Sequence, residues 1–110
     1  MQIDIQTRSF SLTDALREHV NRRIGFTLGT RDDYIQRIVV RLEDINGPRG
    51  GADKLCRLQI VLDQLPDVVI EDTEEDMYVA IDRATDRAGR TVSRKISRQR
   101  DHLRANMITV

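Results

Sequence analysis

The stretch from Glu74 to His102 constrains this chain more than any other part of it. Its apolar side chains, Met77, Ile81, Ala84, Ala88, Val92 and Ile96, return every three or four residues. At ~100° per residue they fall in one helical stripe roughly 120° wide. A helix with such a stripe is stable in water only when the stripe is covered, so the remaining chain must present a matching apolar surface. Thr73 with Asp76 three residues on resembles a capping box, which predicts a helix from about Glu74 to His102.

The segments upstream supply that surface as strands. Gln2 to Thr7 alternates, with Ile3 and Ile5 on one side and Gln2, Asp4 and Gln6 on the other. From Gln36 to Ile45 the period is again two: Ile38, Val40 and Leu42 oppose Arg37, Val39, Arg41 and Glu43. Leu55 to Asp63 repeats it with Cys56, Leu58, Ile60 and Leu62 inside, and Val68 to Glu71 is a fourth strand after a turn at Gln64-Leu65-Pro66-Asp67. Between the first two strands, Leu16, Val20 and Ile24 mark a helix of about three turns, with Thr13 as its cap and Gly25 and Gly29 bracketing its fraying end. Asn46-Gly47-Pro48-Arg49-Gly50-Gly51 reads as a hairpin loop.

The predicted order is therefore β-α-β-β-β-α. A crossover helix makes the first two strands parallel neighbours, and the next two connections are short enough for antiparallel hairpins. The expected architecture is an α+β two-layer sandwich: a four-stranded mixed sheet, both helices on one face and the other face wet. Residues 1–102 make a single domain, and 103–110 a short C-terminal tail.

Cys56 is the only cysteine. Neither an internal disulfide nor a thiolate metal cluster can form, which suits a reducing interior. The N-terminus MQIDIQTRSF has no basic lead followed by an apolar run, and no segment approaches the ~18 apolar residues of a membrane span. A cytoplasmic protein without membrane contact is expected. The aromatics are Phe10, Phe26, Tyr34 and Tyr78, with no Trp. Base stacking, which needs exposed rings, is an unpromising mode for so few.

A net charge of zero argues against a nucleic-acid partner only until the charges are placed along the chain. Asp63 to Asp76 holds seven acidic residues and no basic one; Met77 to Arg104 holds eight basic against three acidic residues, a balance of +5. Binding responds to that local field. Arg83, Arg87, Arg90, Arg94 and Arg98 form a second stripe on the last helix, centred roughly 130° around the cylinder from the apolar one. A charged outer face is ordinarily just a solvated one. This row, however, has no acid inside it after Asp86, and like charges along ~22 Å repel, so isolated helix stability does not favour it. Guanidinium forks also suit phosphate, which they bind through two hydrogen bonds at once.

Asp76-Met77-Tyr78-Val79-Ala80-Ile81-Asp82 followed by an Arg-rich helix resembles the ribosome hibernation promoting factor and ribosome-associated inhibitor family. Leu12-Thr13-Asp14-Ala15-Leu16-Arg17-Glu18-His19-Val20 resembles the first-helix pattern of the same family. The likeness covers roughly residues 1–102, and the β-α-β-β-β-α order matches the family's fold, which is similar to a double-stranded-RNA-binding domain. The resemblance implies a short-form member that binds ribosomal RNA in the channel of the small ribosomal subunit where messenger and transfer RNA sit. It implies inhibition of translation and preservation of ribosomes in resting or stressed bacteria. Arg87, Arg90, Arg94, Arg98 and Arg100 fall on basic positions of the family's last helix, and Arg22 or Arg23 near a basic position of the first. Arg83 shares the stripe by geometry alone. No cofactor, metal or small-molecule substrate is implied, and the chain is expected to be a monomer off the ribosome.

Other signals lead elsewhere. Gly47-Pro48-Arg49-Gly50-Gly51 lacks both nucleotide-loop spacings and precedes a strand. The acidic run Glu71 to Asp76 could bind a metal through oxygen, but more simply complements the positive end of the last helix. Gly89, mid-helix, costs about 1 kcal/mol against Ala, and either permits close packing or marks a bend. His19 and His102 have no Cys or Asp at ligand or catalytic spacing and read as surface groups. Nothing assembles a nucleophile, base and oxyanion site, so no enzyme is predicted. A salt-sensitive protein-interaction module, pairing acidic patch with basic helix, and a generic structured-RNA binder are the alternatives.

Overall fold

Side-chain alternation and helical periodicity resolve into one sheet and two long helices in the computed structural model, which describes residues 1–45 and 52–108, with side chains as far as residue 105. The elements are β1 (Gln2–Arg8), α1 (Asp14–Leu28), β2 (Ile35–Asp44), β3 (Lys54–Leu62), β4 (Val68–Glu74) and α2 (Met77–Ile108). The expected loop at 46–51 lies outside the described residues. The sheet order is β1-β2-β3-β4, with β1 parallel to β2 and the other two pairs antiparallel. This is the α+β arrangement expected from the pattern.

The core follows from the pleat. Ile38, Val40 and Leu42 of β2, Cys56, Leu58, Ile60 and Leu62 of β3, and Val68 and Ile70 of β4 are buried with Leu16, Val20, Ile24 and Leu28 of α1. Met77, Ile81, Ala84, Ala88, Val92 and Ile96 of α2 join the same cluster, together with Ala80. Thr85 is buried among them, and its hydroxyl donates to the Ile81 carbonyl at 2.8 Å, so that hydroxyl is not left unmet. On the opposite, wet face, Arg37 pairs with Asp4 at 3.1 Å and Arg57 with Glu71 at 3.3 Å.

Several boundaries differ from expectation. β4 runs on to Glu74 because it pairs with β3 as far as Lys54 opposite Glu74. Thr73 is therefore a strand residue, and the cap of α2 is Asp76, whose Oδ1 accepts from the Tyr78 amide at 2.7 Å. α1 is capped by Thr13, whose Oγ1 accepts from the Leu16 amide at 3.1 Å, as expected. It runs through Gly25 to Leu28, since Leu28 continues the buried stripe by one more turn. A 3₁₀ stretch, Gly29–Tyr34, then carries the chain into β2. At its far end α2 continues to Ile108, so the helix does not stop at His102.

Burial raises the Cys56 thiol to about 12, with the charge of Asp72 adding to the effect. At pH 8 it holds about 1,000-fold less thiolate than a free cysteine. Native protein is therefore expected to leave a thiol reagent such as 5,5′-dithiobis(2-nitrobenzoate) unreacted until urea unfolds it. Prompt reaction of the folded chain would contradict the core described here.

Candidate nucleic-acid interface

At 32 residues α2 is about 48 Å long, and it accounts for the elongated 61 × 23 × 18 Å shape of the molecule. After Ile96 its described side chains are exposed or half-buried, so its last turns project beyond the sheet. The angular reading holds along its length: the apolar stripe is buried, and Arg83, Arg87, Arg90, Arg94 and Arg98 are all exposed.

Exposure does not make these arginines equivalent. Arg83 Nη1 lies 3.6 Å from Glu74 Oε2, and Arg87 Nη1 donates to the Glu71 carbonyl oxygen at 2.7 Å. β4 is an edge strand, and such strands present unpaired carbonyls; Arg87 takes up one of them. The first two arginines of the row thus lean toward β4 and tether it. Among the described residues, none forms an ion pair with Arg90, Arg94, Arg98 or Arg100.

The acidic residues near Arg83 are strand residues of one sheet end. The Glu74 carboxyl is pushed up by its hydrogen bond to the Asp72 carboxyl and by partial burial, while Arg83 acts in the opposite sense. Among the described residues, no three His, Cys, Asp or Glu side chains are grouped so as to hold a metal ion. Nor is any helix long and apolar enough to cross a membrane.

The two α1 candidates part company. Arg22 is exposed. Arg23 is turned into the crevice between the helices, its Nε 3.3 Å from Asp82 Oδ1 and its Nη2 paired with Asp86 Oδ1. It fastens α1 to α2, with Nε and Nη2 turned to these two carboxylates. His19 is a second correction. Its Nε2 lies 2.6 Å from Asp82 Oδ1, and its ring stands edge-on to Tyr78 with centroids 4.9 Å apart. Sequence reading missed this latch because its halves are 63 residues apart. A signal was available: His19 and Arg23 are four apart on one helix, and Asp82 and Asp86 four apart on the other, two donors facing two carboxylates.

Gly89 settles between its two readings in favour of close packing. A Cβ there would lie 3.0 Å from the Thr27 carbonyl oxygen, so the missing side chain sets how near α1 comes to α2. Phe26, one position before that contact, is 79% exposed. An exposed ring is therefore present after all; composition could count the aromatics but not place them.

The fold, a four-stranded sheet with two helices, is shared with known proteins. A ribosomal subunit interface protein from Coxiella burnetii superposes with a TM-score of 0.76 over 88% of this chain and 99% of its own, at 20% identity. The N-terminal domain of Protein Y from Thermus thermophilus gives 0.70 over 86% and 98%, at 27% identity. No curated protein sequence matches the chain. The family model described as sigma 54 modulation protein / S30EA ribosomal protein matches residues 3–100. The chain belongs to that family. The resemblance to hibernation factors read from Asp76–Asp82 and from the first helix is thereby upheld. Within this S30EA member, the match spans β1 from Ile3, the other three strands, all of α1 and α2 as far as Arg100.

Proposed function

We propose that this S30EA-family chain binds the small ribosomal subunit through α2, occupying the channel for messenger and transfer RNA. Translation is thereby inhibited, and ribosomes are preserved in resting or stressed cells. One observation carries the reading: Arg90, Arg94 and Arg98 line the outer side of α2, exposed and without an ion-pair partner among the described residues. Three uncompensated guanidinium groups at one-turn intervals repel one another, and a row of phosphates relieves that repulsion. Arg100, about 120° around α2 from that row, and Arg22 on α1 add further exposed cations. Arg83 and Arg87 sit beside it, with part of their donor capacity already committed to β4. The binding unit is the single domain of residues 1–102, acting as a monomer, and the helical continuation beyond it lengthens the basic arm.

The test is sedimentation with purified small subunits across a salt series. Five phosphate contacts, from Arg22, Arg90, Arg94, Arg98 and Arg100, predict a log–log slope of roughly −3.5 to −4.5. A slope near zero, or no co-migration at low salt, would remove the proposed surface. Equal displacement by an unrelated RNA duplex would point to a generic structured-RNA binder. A salt-sensitive oligomer without ribosome affinity would point to a protein-interaction module.

A further inference from the structure

The most exposed large apolar side chain among the described residues is Phe26, near the C-terminal end of α1. Leaving a phenyl ring in water forgoes about 1.5–3 kcal/mol of burial, and nothing described in the chain covers it. A cation stands against it. The guanidinium carbon of Arg23 lies 5.7 Å from the ring centroid. Arg23 is itself held by Asp82 and Asp86, so the ring is braced by a cation that cannot swing away. Arg22, exposed, is four residues before Phe26 and therefore on the same side of α1.

At Thr27, the residue after Phe26, the crossing of the helices opens a shallow groove of about 360 Å³, lined also by Asp86, Gly89, Arg90 and Ser93. The absence of a side chain at Gly89 leaves this groove open toward Thr27, while Ser93 and Thr27 offer hydroxyls. Asp86, the one acid there, is already neutralised by Arg23. Arg90, the first arginine of the outer row beyond the two that lean on β4, also lines it. A ring, hydroxyls and two cations, Arg22 and Arg90, on either side match the parts of a nucleotide: a flat base to stack, a sugar and base edge to hydrogen-bond, and flanking phosphates.

We infer that Phe26 is a stacking platform for an unpaired nucleobase of the bound RNA, whose flanking phosphates are held by Arg22 and Arg90. The inference rests on the RNA-binding reading above and adds to it a single-stranded nucleotide. A duplex keeps its bases stacked inside and leaves none for the ring. The arginine row alone has no such preference, since phosphates occur in both.

The natural chain lacks Trp, so Phe26→Trp places a single emitter at the site. Its fluorescence is expected to be quenched by a single-stranded RNA decamer of mixed sequence and left unchanged by a duplex of the same length. Phe26→Leu keeps apolar bulk and removes the ring; it should weaken binding to the decamer and to small subunits about 5- to 100-fold, with Phe26→Trp restoring it. Because the side chain is exposed, each variant should unfold at the wild-type urea midpoint. Unquenched emission, or wild-type affinity in Phe26→Leu, would overturn the inference. So would a dimer in sedimentation equilibrium that Phe26→Leu dissolves, because a second copy would then be what covers the ring. The two readings fail separately. Decamer quenching without subunit binding keeps the stacking site and discards the ribosomal address. Subunit binding that needs the arginines but ignores Phe26 does the reverse.

Discussion

Changing Arg90, Arg94 and Arg98 to Glu together is expected to abolish co-sedimentation with the small subunit, lowering affinity by about 1,000-fold or more at 0.1 M salt. Each replacement removes a phosphate contact and puts an anion against the backbone, so loss and repulsion add. The slope of log affinity against log salt should also flatten by roughly 2 to 3, about 0.7–0.9 for each contact removed. Folding should be spared, since all three side chains are exposed and unpaired among the described residues, and Glu is nearly as good a helix former as Arg. That separation gives the experiment its force. The same reversal at Arg23 would face Asp82 and Asp86 with a third carboxylate and lower stability, and at Arg87 it would release the Glu71 carbonyl of β4. If the triple variant sediments with subunits as the wild type does, with an unchanged slope, α2 is not the binding surface.

The second large effect concerns the helix crossing. Gly89→Val is expected to destabilise the domain by about 2–3 kcal/mol, read as a lower urea midpoint. The Cβ alone would approach the Thr27 carbonyl oxygen to 3.0 Å, and that atom is backbone, so it cannot swing aside. Two further methyl groups would force α1 and α2 apart and strain the Arg23–Asp86 and His19–Asp82 pairs that span the same crevice. Gly89→Ala is the informative control. It gains about 1 kcal/mol of helix propensity while meeting the tight contact, so the two effects nearly cancel. A Val variant as stable as the wild type would mean the helices do not approach as described.

Much of the molecule was legible because burial imposes a short period on each element. Ile38-Val40-Leu42 and Cys56-Leu58-Ile60-Leu62 identify their inner faces by alternation alone, and Met77 through Ile96 do so by helical spacing. Less legible were the ends. A capping box at Thr73 and a strand running through Thr73 to Glu74 are both consistent with that segment, and pairing with Lys54, some twenty residues earlier, selects the strand. Polar and charged groups were least legible. His19 read as a surface group because its partner Asp82 becomes a neighbour only once α1 lies along α2.

The amino-acid sequence by itself determined the order of elements, the buried side of each, the family to which the chain belongs and the existence of an arginine row opposite the apolar stripe. These are local properties, set by which residues recur every two or every three to four positions. Only the tertiary structure decided which cations are paired within the fold. Arg23 pairs with Asp82 and Asp86, Arg83 and Arg87 lean on β4, and Arg90, Arg94 and Arg98 have no ion-pair partner among the described residues. Whether a guanidinium is paired depends on atoms within about 4 Å, and those atoms come from wherever the fold brings the chain back.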